Sequence, residues 1–323
     1  MLAFIIRRIL QALLVMLVMS ALVFFGLYMI GDPVEMMASP DATEIEKEAI
    51  RQSLGLHLPL YTQYFNFLGK AVQLDFGNSF LNGESAMKLI LERMPATIEL
   101  ATVAMLLSVI IGIPLGIIAG LHPKAVSSRG IMAVSTLGFS LPNFWIGLML
   151  IIWFAVYLKW LPATGRGPTI QIGFFDTSIF SLDGWRYLLL PAFTIACSKA
   201  ALITRVTRAA TLEALPMEYI KFARAKGVPR YKILRTHLLK NIMIPIVTIA
   251  GLEYGQVIAF AVITETIFAW PGMGAFLIHS IQELDRPIVV AYLILIVFMF
   301  VMLNLIIDII YSVLDPRVRV QGA

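Results

Sequence analysis

The sequence predicts an all-α polytopic membrane protein with six membrane-spanning helices. Hydrophobic residues make up 59% of the 323 positions and charged residues only 14%, whereas soluble domains carry about 25% charged residues. The mean hydropathy is +0.86, and several uncharged stretches are long enough to cross a bilayer core of about 30 Å. This composition excludes a soluble globular domain, a disordered chain and a nucleic-acid-binding protein.

Six segments have the length of about 20 apolar residues that a membrane helix needs. Four are uncharged, and the fourth and fifth each contain one charged residue, Lys199 and Glu253 respectively. A charge inside a span is expected at its end or facing the protein interior, since lipid solvates it poorly. In chain order the predicted spans are 9–30, 100–121, 131–158, 187–204, 242–264 and 288–307.

The distribution of basic residues predicts the orientation of these spans. With the N-terminus inside, the cytoplasmic segments 1–8, 122–130, 199–241 and 308–323 hold 16 Lys and Arg residues and the outer segments hold 9. Basic residues accumulate on the cytoplasmic side of membrane proteins. We therefore expect a multi-pass protein whose N- and C-termini are both cytoplasmic.

The same pattern divides the chain into four regions. We predict an N-terminal anchor helix over 1–31, a small outer subdomain over 32–97, a core membrane domain over 98–314 and a cytoplasmic tail over 315–323. Most of the outer subdomain is expected to be a solvated cap. It includes a short exposed helix near Glu44–Ile50, and Gly55 suits the end of that helix.

The cytoplasmic connection at about 213–241 is predicted to form two short helices that meet at Gly227. Pro216 suits the first helical position, and Gly227 suits a left-handed residue just past the helix end. A second helix over 230–240 is expected to lead into the fifth span. The alternative is an amphipathic linker that lies on the membrane surface, and the physical pattern alone leaves both interpretations open.

Known catalytic and cofactor motifs are absent from the sequence. It contains no phosphate-binding G-x-x-x-x-G-K-[ST] loop, no H-E-x-x-H metal pair and no G-x-S-x-G nucleophile motif. The four histidines are scattered, and Cys197 is the single cysteine. We therefore expect a chain that is not an enzyme and that holds no cofactor and no metal of its own.

Nine consecutive residues, Tyr219 to Gly227, resemble the EAA loop of ATP-binding-cassette (ABC) importer permeases. Lys221 and Phe222 stand where the wider family often has Glu and Ala, as is usual in the branch that carries peptides and nickel. Further strings in matching order extend the resemblance over nearly the whole chain: Leu54-Gly55-Leu56, Asp75-Phe76-Gly77-Asn78-Ser79, Pro142-Asn143-Phe144-Trp145, Leu161-Pro162-Ala163-Thr164-Gly165, His237 with Asn241 and Pro245, and Glu265-Thr266-Ile267-Phe268-Ala269-Trp270-Pro271-Gly272-Met273-Gly274.

The resemblance implies a type I ABC importer permease fold in the bacterial inner membrane and a role as half of a translocation pathway. It implies a homologous second permease, two cytoplasmic ATPase subunits that bind ATP and Mg²⁺, and a periplasmic or lipid-anchored substrate-binding protein, in addition to membrane lipid. The implied substrates are dipeptides, oligopeptides, glutathione or nickel chelates. The implied ATPase-coupling residues are Tyr219, Phe222, Ala223, Arg224, Ala225, Lys226 and Gly227.

Glu253 and Gln256 are candidates for the translocation pathway, because they lie about one helical turn apart in the fifth span and share a face. Gly251 and Gly255 form a G-x-x-x-G pair, which often marks close helix packing in lipid. Either the glycines pack against a neighbouring helix and protein groups satisfy Glu253, or Glu253 and Gln256 line the passage. Alternative functions for the chain are an ion-coupled secondary transporter, and a channel or membrane-anchored structural protein.

Overall fold

A computed structural model describes residues 2–28, 34, 42–53, 55–173 and 175–314. The predicted boundary between the anchor helix and the outer subdomain, at 31–32, and the predicted tail over 315–323 lie outside these residues. The helices are α1 (Leu2–Tyr28), α2 (Glu44–Ser53), α3 (Leu60–Val72), α4 (Ala86–Leu121), α5 (Val126–Ser140), α6 (Asn143–Leu150), α7 (Leu182–Ala214), α8 (Glu218–Ala225), α9 (Arg230–Lys232), α10 (Leu239–Phe260), α11 (Val262–Ile267), α12 (Met273–Gln282) and α13 (Arg286–Leu314).

The helical membrane fold predicted from composition is confirmed. Five helical segments are long and apolar enough to cross a membrane: Ile6–Gly26, Ala86–Leu121, Leu182–Ala214, Arg230–Phe260 and Arg286–Ile309. A sixth candidate is a bent pair, in which α5 and the helix over Asn143–Tyr157 meet at an angle of 102°. Residues Ile151–Tyr157 of that second arm are π-helical.

The prediction of one continuous span over 131–158 is therefore wrong. Leu141 has an extended backbone, with φ −78° and ψ 134°, because a residue before proline is disfavoured in the helical region. Pro142 then starts the next helix at its N-terminal boundary. The bend lies inside an uncharged and largely apolar run, which conceals it from a hydropathy reading.

The second span begins much earlier than position 100. Helix α4 starts at Ala86 and runs through the predicted domain boundary between 97 and 98 without a break. The short helix predicted near Glu44 is present as α2, and Gly55 has a φ of +70° just after it. A two-stranded antiparallel hairpin, β1 (Ile170–Ile172) and β2 (Phe175–Thr177), lies in the connection between α6 and α7.

Helices α4 and α7 form the centre of the fold through close backbone approach. Three glycines of α4, spaced four residues apart, face the side chains of α7: Gly112 faces Ile203, Gly116 faces Thr207 and Gly120 faces Thr211. A Cβ atom at Gly116 would lie 2.5 Å from Cβ of Thr207. Small residues at such a spacing allow membrane helices to pack at short range.

The outer helices surround this pair. Helix α1 packs against α13, α13 packs against α10, and α5 packs against α7. A second apolar cluster joins the start of α4 to α12 and α13, and includes Ile90, Met273 and Ile288. The helix α8 is joined to the main core through Ile220 and Ala223.

Candidate coupling and translocation sites

Helix α8 carries most of the predicted coupling residues, and its C-terminal end is well defined. The amide of Gly227 donates to the carbonyl of Arg224 at 3.0 Å, and the amide of Val228 donates to the carbonyl of Ala223 at 3.1 Å. Gly227 has a φ of +74°. This is the Schellman arrangement, which confirms the glycine as the residue just past the helix end. The helix begins at Glu218, two residues after the predicted Pro216.

The two faces of α8 differ sharply in exposure. Ile220 and Ala223 are buried in the main core of this chain, whereas the Phe222 side chain is 62% exposed. The i, i+3, i+4 spacing of Tyr219, Phe222 and Ala223 predicts that they share one helical side, but Ala223 faces the core and not the outward side. A shallow concavity of about 530 Å³ lies on the exposed side, lined by Glu218, Tyr219, Lys221, Phe222 and Ala225.

Charged side chains surround the exposed phenylalanine. The ammonium group of Lys226 lies 4.5 Å from the centre of the Phe222 ring, and Lys221 Nζ forms an ion pair with Glu218 at 2.8 Å. Arg224 and Ala225 are exposed as well. An exposed aromatic ring with a basic rim is the composition that recurs at the centres of protein interfaces.

Helix α8 is linked to the fifth span by side chains as well as by the backbone. Burial raises the pKa of the Tyr219 phenol, and a hydrogen bond with Asn241 of α10 partly offsets that rise. The predicted second platform helix is not separate: residues Arg230–Phe260 form one helical segment, with a π-helical stretch at Ile233–Leu238. The platform therefore continues directly into the membrane.

Glu253 has a partner that the sequence did not reveal. Its carboxylate accepts a hydrogen bond from Lys199 Nζ of α7 at 2.5 Å, and the two side chains are only 15% and 20% exposed. Gln256 is exposed on the surface of the chain. The ion pair thus ties the fourth predicted span to the fifth within the apolar part of the sequence.

The glycine pair beside Glu253 packs against the last helix, α13. This agrees with the interpretation in which Gly251 and Gly255 pack against a neighbouring helix. A Cβ atom at Gly251 would lie 2.7 Å from Cγ1 of Ile307, and one at Gly255 would lie 3.1 Å from Cδ2 of Phe300. Both contacts are with α13. The Glu253 carboxylate is paired with Lys199 of α7. A role of Glu253 and Gln256 in the pathway stays a prediction.

Two further buried carboxylates hold the predicted outer ends of the helices together. Glu99 of α4 accepts hydrogen bonds from the amide and hydroxyl of Ser178 and pairs with Arg166. The apolar run that starts directly after Glu99 gives no sign of these partners, because Arg166 and Ser178 are 67 and 79 residues away in the sequence. They fasten the α6–α7 connection to α4.

Glu265 is the second of these carboxylates and is fully buried. Oε1 accepts a hydrogen bond from the Thr97 hydroxyl at 2.6 Å, and Oε2 accepts one from the Ala275 amide at 2.9 Å. Burial raises the pKa of this carboxyl, and bonds from Thr97 and from the amides of Ala275 and Gly274 offset part of the rise. Glu265 therefore caps the N-terminus of α12, where a partial positive charge favours an acid.

Within the described part of the chain, no group of three His, Cys, Asp or Glu side chains is arranged to hold a metal ion. The arrangement of α8 instead offers a protein-binding surface, and the Lys199–Glu253 pair offers polar groups between two membrane helices.

Comparison with known proteins gives consistent matches over the whole chain. Residues 112–320 match the family model of binding-protein-dependent transport system inner membrane components, and residues 1–101 match the N-terminal model of the same kind of protein. The di/tripeptide transport system permease protein DppB of Pseudomonas aeruginosa is 38% identical over 305 residues, which cover 90% of each chain. The glutathione transport system permease protein GsiC of Escherichia coli strain K12 is 34% identical over 320 residues, which cover 99% of each chain.

Solved structures agree with this assignment at the level of the fold. Two inward-facing structures of the MetNI methionine ABC transporter superpose with TM-scores of 0.54 and 0.56 at 17% sequence identity, covering 71% of this chain and 97% of theirs. The chain therefore belongs to the family of binding-protein-dependent transport system inner membrane components, as a permease of the peptide branch of ABC importers.

Proposed function

We propose that this chain imports small peptides of the size of di- and tripeptides or glutathione. Relatives named for these two kinds of substrate are 38% and 34% identical to it over 90% or more of its length. A second permease would complete the pathway, two cytoplasmic ATPase subunits would supply energy, and a substrate-binding protein would deliver the peptide from outside. The excess of basic residues at 199–241 and in the other predicted inner segments supports cytoplasmic termini.

The coupling surface that we propose is the exposed side of α8, centred on Phe222 and Tyr219. The observation that carries this proposal is the difference between the two faces of α8: Phe222 is 62% exposed, and Ile220 and Ala223 are buried in the chain's own core. In this proposal α8 inserts its exposed ring into a groove of the ATPase, in the helix-in-groove mode of recognition. Because Ile220 and Ala223 fix α8 to the membrane core, a movement of the ATPase would then pull on that core.

The route for that movement runs from α8 into the fifth span. Gly227 sets the turn, and Arg230–Phe260 then continues as one helical segment. Helix α8 also packs directly against the π-helical stretch at Ile233–Leu238, which connects it to this segment a second time. A shift of α8 would therefore move the part of α10 that carries Glu253.

We further propose that Lys199, Glu253 and Gln256 face the translocation pathway at the contact with the second permease. Charges inside membrane helices are costly and usually mark a pathway or a polar cavity. The 15–20% exposure of the ion pair and the exposure of Gln256 in this single chain support a position at the edge of the subunit.

The proposed function is tested by uptake of a labelled dipeptide into vesicles that contain the assembled transporter and its binding protein. We expect uptake that requires ATP and that continues when a protonophore collapses the ion gradient. Uptake that stops with the gradient and proceeds without ATP would overturn the proposal. A panel of dipeptide, tripeptide and glutathione then identifies the substrate class.

A further inference from the structure

Helix α3 has three distinct sides, although it lies in the segment expected to be a solvated cap. One side faces α1 through Tyr64 and Phe67, whose rings lie 5.4 and 5.5 Å from that of Phe24. A second side carries Thr62, Asn66 and Lys70 and is polar. The third side carries apolar residues at positions i, i+4, i+7 and i+11, which share one helical face: Tyr61, Phe65, Leu68 and Val72.

Contacts with α1 determine the depth of α3. The Tyr64 hydroxyl donates to the carbonyl of Leu17 at 3.2 Å and lies 3.0 Å from the hydroxyl of Ser20. The candidate membrane span of α1 runs from Ile6 to Gly26. Leu17 therefore lies nine residues, or about 14 Å along the helix axis, inside its outer end. The Tyr64 hydroxyl thus reaches toward the middle of the span, while the rings of Tyr64 and Phe67 meet Phe24 close to its outer end. These contacts place α3 beside the outer part of α1.

The apolar side of α3 is exposed in the described structure. Tyr61, Phe65 and Val72 are 68%, 66% and 85% exposed. The neighbouring surface of α1 is also apolar and exposed, with Leu14, Leu22 and Phe25 among its residues. An exposed apolar surface of this extent marks an interaction with a membrane or a partner, and here it adjoins the lipid-length helix α1.

We infer that α3 is an interfacial membrane helix, whose Tyr61–Phe65–Leu68–Val72 side is covered by the acyl chains of the outer leaflet. Thr62, Asn66 and Lys70 then lie among lipid headgroups and water, which is the arrangement of amphipathic helices that lie in the plane of the membrane. Tyrosine is favoured at this level, since its ring is apolar and its hydroxyl polar. The cap over 32–97 is therefore solvated only in part, and its second helix anchors it to the bilayer.

Site-directed spin labelling of the assembled transporter in phospholipid vesicles tests this inference. In a Cys197→Ala background, Phe65→Cys places a label on the apolar side, and Asn66→Cys places one on the polar side a single residue away. Oxygen concentrates in the acyl region, whereas a neutral nickel chelate stays in water. We expect oxygen collisions to dominate at position 65 and nickel collisions to dominate at position 66, which reverses the sign of the depth parameter.

Three results would overturn the inference. Dominant nickel collisions at both positions would mean that α3 is surrounded by water. Protection of position 65 from both reagents would mean that protein covers this side, most directly the second permease or the binding protein. Dominant oxygen collisions at both positions would mean that α3 is fully immersed and not interfacial. Ile45→Cys in α2 serves as a control for a solvated site in the same region, since Ile45 is 83% exposed on a helix rich in charged residues.

Discussion

Phe222 shows how a single residue can indicate a binding surface. An aromatic ring on a short charged helix loses apolar burial when water surrounds it, and here Lys226 covers it only from one side at 4.5 Å. The rest of α8 is held by Ile220 and Ala223, so the position of the ring is determined before any partner binds. A surface organised in advance loses less conformational entropy on binding.

Phe222→Asp should weaken binding of the ATPase subunits by about 2 kcal/mol or more, since aromatic anchors at interface centres have effects of that size. That corresponds to about a 30-fold loss of affinity. The measurement is co-purification of the ATPase with the permease, followed by peptide-stimulated ATP hydrolysis in vesicles. Lys124→Ala is the control, because Lys124 is also an exposed basic residue of a predicted cytoplasmic segment but does not line the concavity beside Phe222. Normal binding and hydrolysis in Phe222→Asp would exclude this side as the coupling surface.

The Lys199–Glu253 pair can serve stability, transport or both, and the two roles respond differently to substitution. Lys199→Met alone should destabilise the chain by up to about 3 kcal/mol, the lower end of the range for a buried pair, because it leaves a carboxylate that is only 15% exposed without its partner. The double variant Lys199→Met with Glu253→Met should restore stability, since apolar residues of similar volume replace a buried pair with little loss. Thermal unfolding in detergent measures this difference.

If the pair lines the pathway, the double variant assembles normally and takes up peptide much more slowly. The control is Arg8→Met with Asp308→Met, which removes the 3.1 Å ion pair between α1 and α13. That pair joins α1 to α13 and includes no residue of α7 or α10, so its removal should leave uptake unchanged. Wild-type uptake by the Lys199/Glu253 double variant would remove both residues from the pathway.

At the scale of elements, the α4–α7 contact shows how glycine spacing sets helix separation. Gly112, Gly116 and Gly120 leave room for Ile203, Thr207 and Thr211. Helices in lipid associate through packing and hydrogen bonds because lipid tails are as apolar as the side chains. The contact therefore depends on shape, which a single methyl group can disturb.

Gly116→Ala should destabilise the chain by about 1–3 kcal/mol, the usual range for overpacking a tight contact. The new Cβ would meet Thr207 Cβ at 2.5 Å and the Thr204 carbonyl oxygen at 2.7 Å. The measurement is the thermal unfolding midpoint of the purified chain in detergent. Gly130→Ala in α5 is the control, since it has no heavy atom within 4 Å of the new Cβ. Equal midpoints for both variants would contradict the packing that we describe.

The end of α8 provides a second test at this scale. Gly227→Val meets no atom within 4 Å, but a Cβ at a φ of +74° disfavours the left-handed backbone by about 1–2 kcal/mol. We expect Gly227→Val to bind the ATPase subunits and to hydrolyse more ATP per peptide imported, because α8 no longer meets α9 at its native angle.

Gly227→Asn is the matched comparison, because asparagine adopts the left-handed region more readily than other residues with a side chain. It should restore most of the coupling ratio, which is measured as ATP hydrolysed per peptide transported. An unchanged ratio in Gly227→Val would mean that the angle at this glycine does not matter for coupling.

The whole molecule combines a central helix pair with peripheral helices that present different surfaces. Helix α8 lies on the side predicted to be cytoplasmic, and the buried Glu99 and Glu265 hold loops on the other side. The distribution of basic residues predicts that the α8 side faces the cytoplasm and that the side of Glu99 and Glu265 faces outward.

Cysteine labelling tests that orientation. In a Cys197→Ala background, Glu46→Cys should react with a membrane-impermeant maleimide in intact cells, and Arg224→Cys should react only after the membrane is opened. Both positions are exposed, so access to the reagent decides the result. Reaction of position 224 in intact cells would reverse the topology.

Hydropathy located five of the six predicted spans, because a membrane helix must satisfy its own backbone and cover itself with apolar side chains. Local chemistry also predicted the end of α8 at Gly227, since a left-handed turn needs a residue without Cβ. The bend at Leu141–Pro142 was missed, because the apolar run continues through it. The early start of α4 was missed because its first turns carry Lys88, Glu92 and Arg93, which obscure the span.

Packing alone placed the partners of the buried charges. Lys199 and Glu253 are 54 residues apart, and Thr97 and Glu265 are 168 apart, so no local pattern connects them. Packing also decided which side of α8 faces outward: Ala223 faces the core and its neighbour Phe222 faces the solvent. Spans and turns follow from each segment's own composition, whereas ion pairs, exposed rings and helix depth depend on which segments meet, and that is settled only when the chain packs.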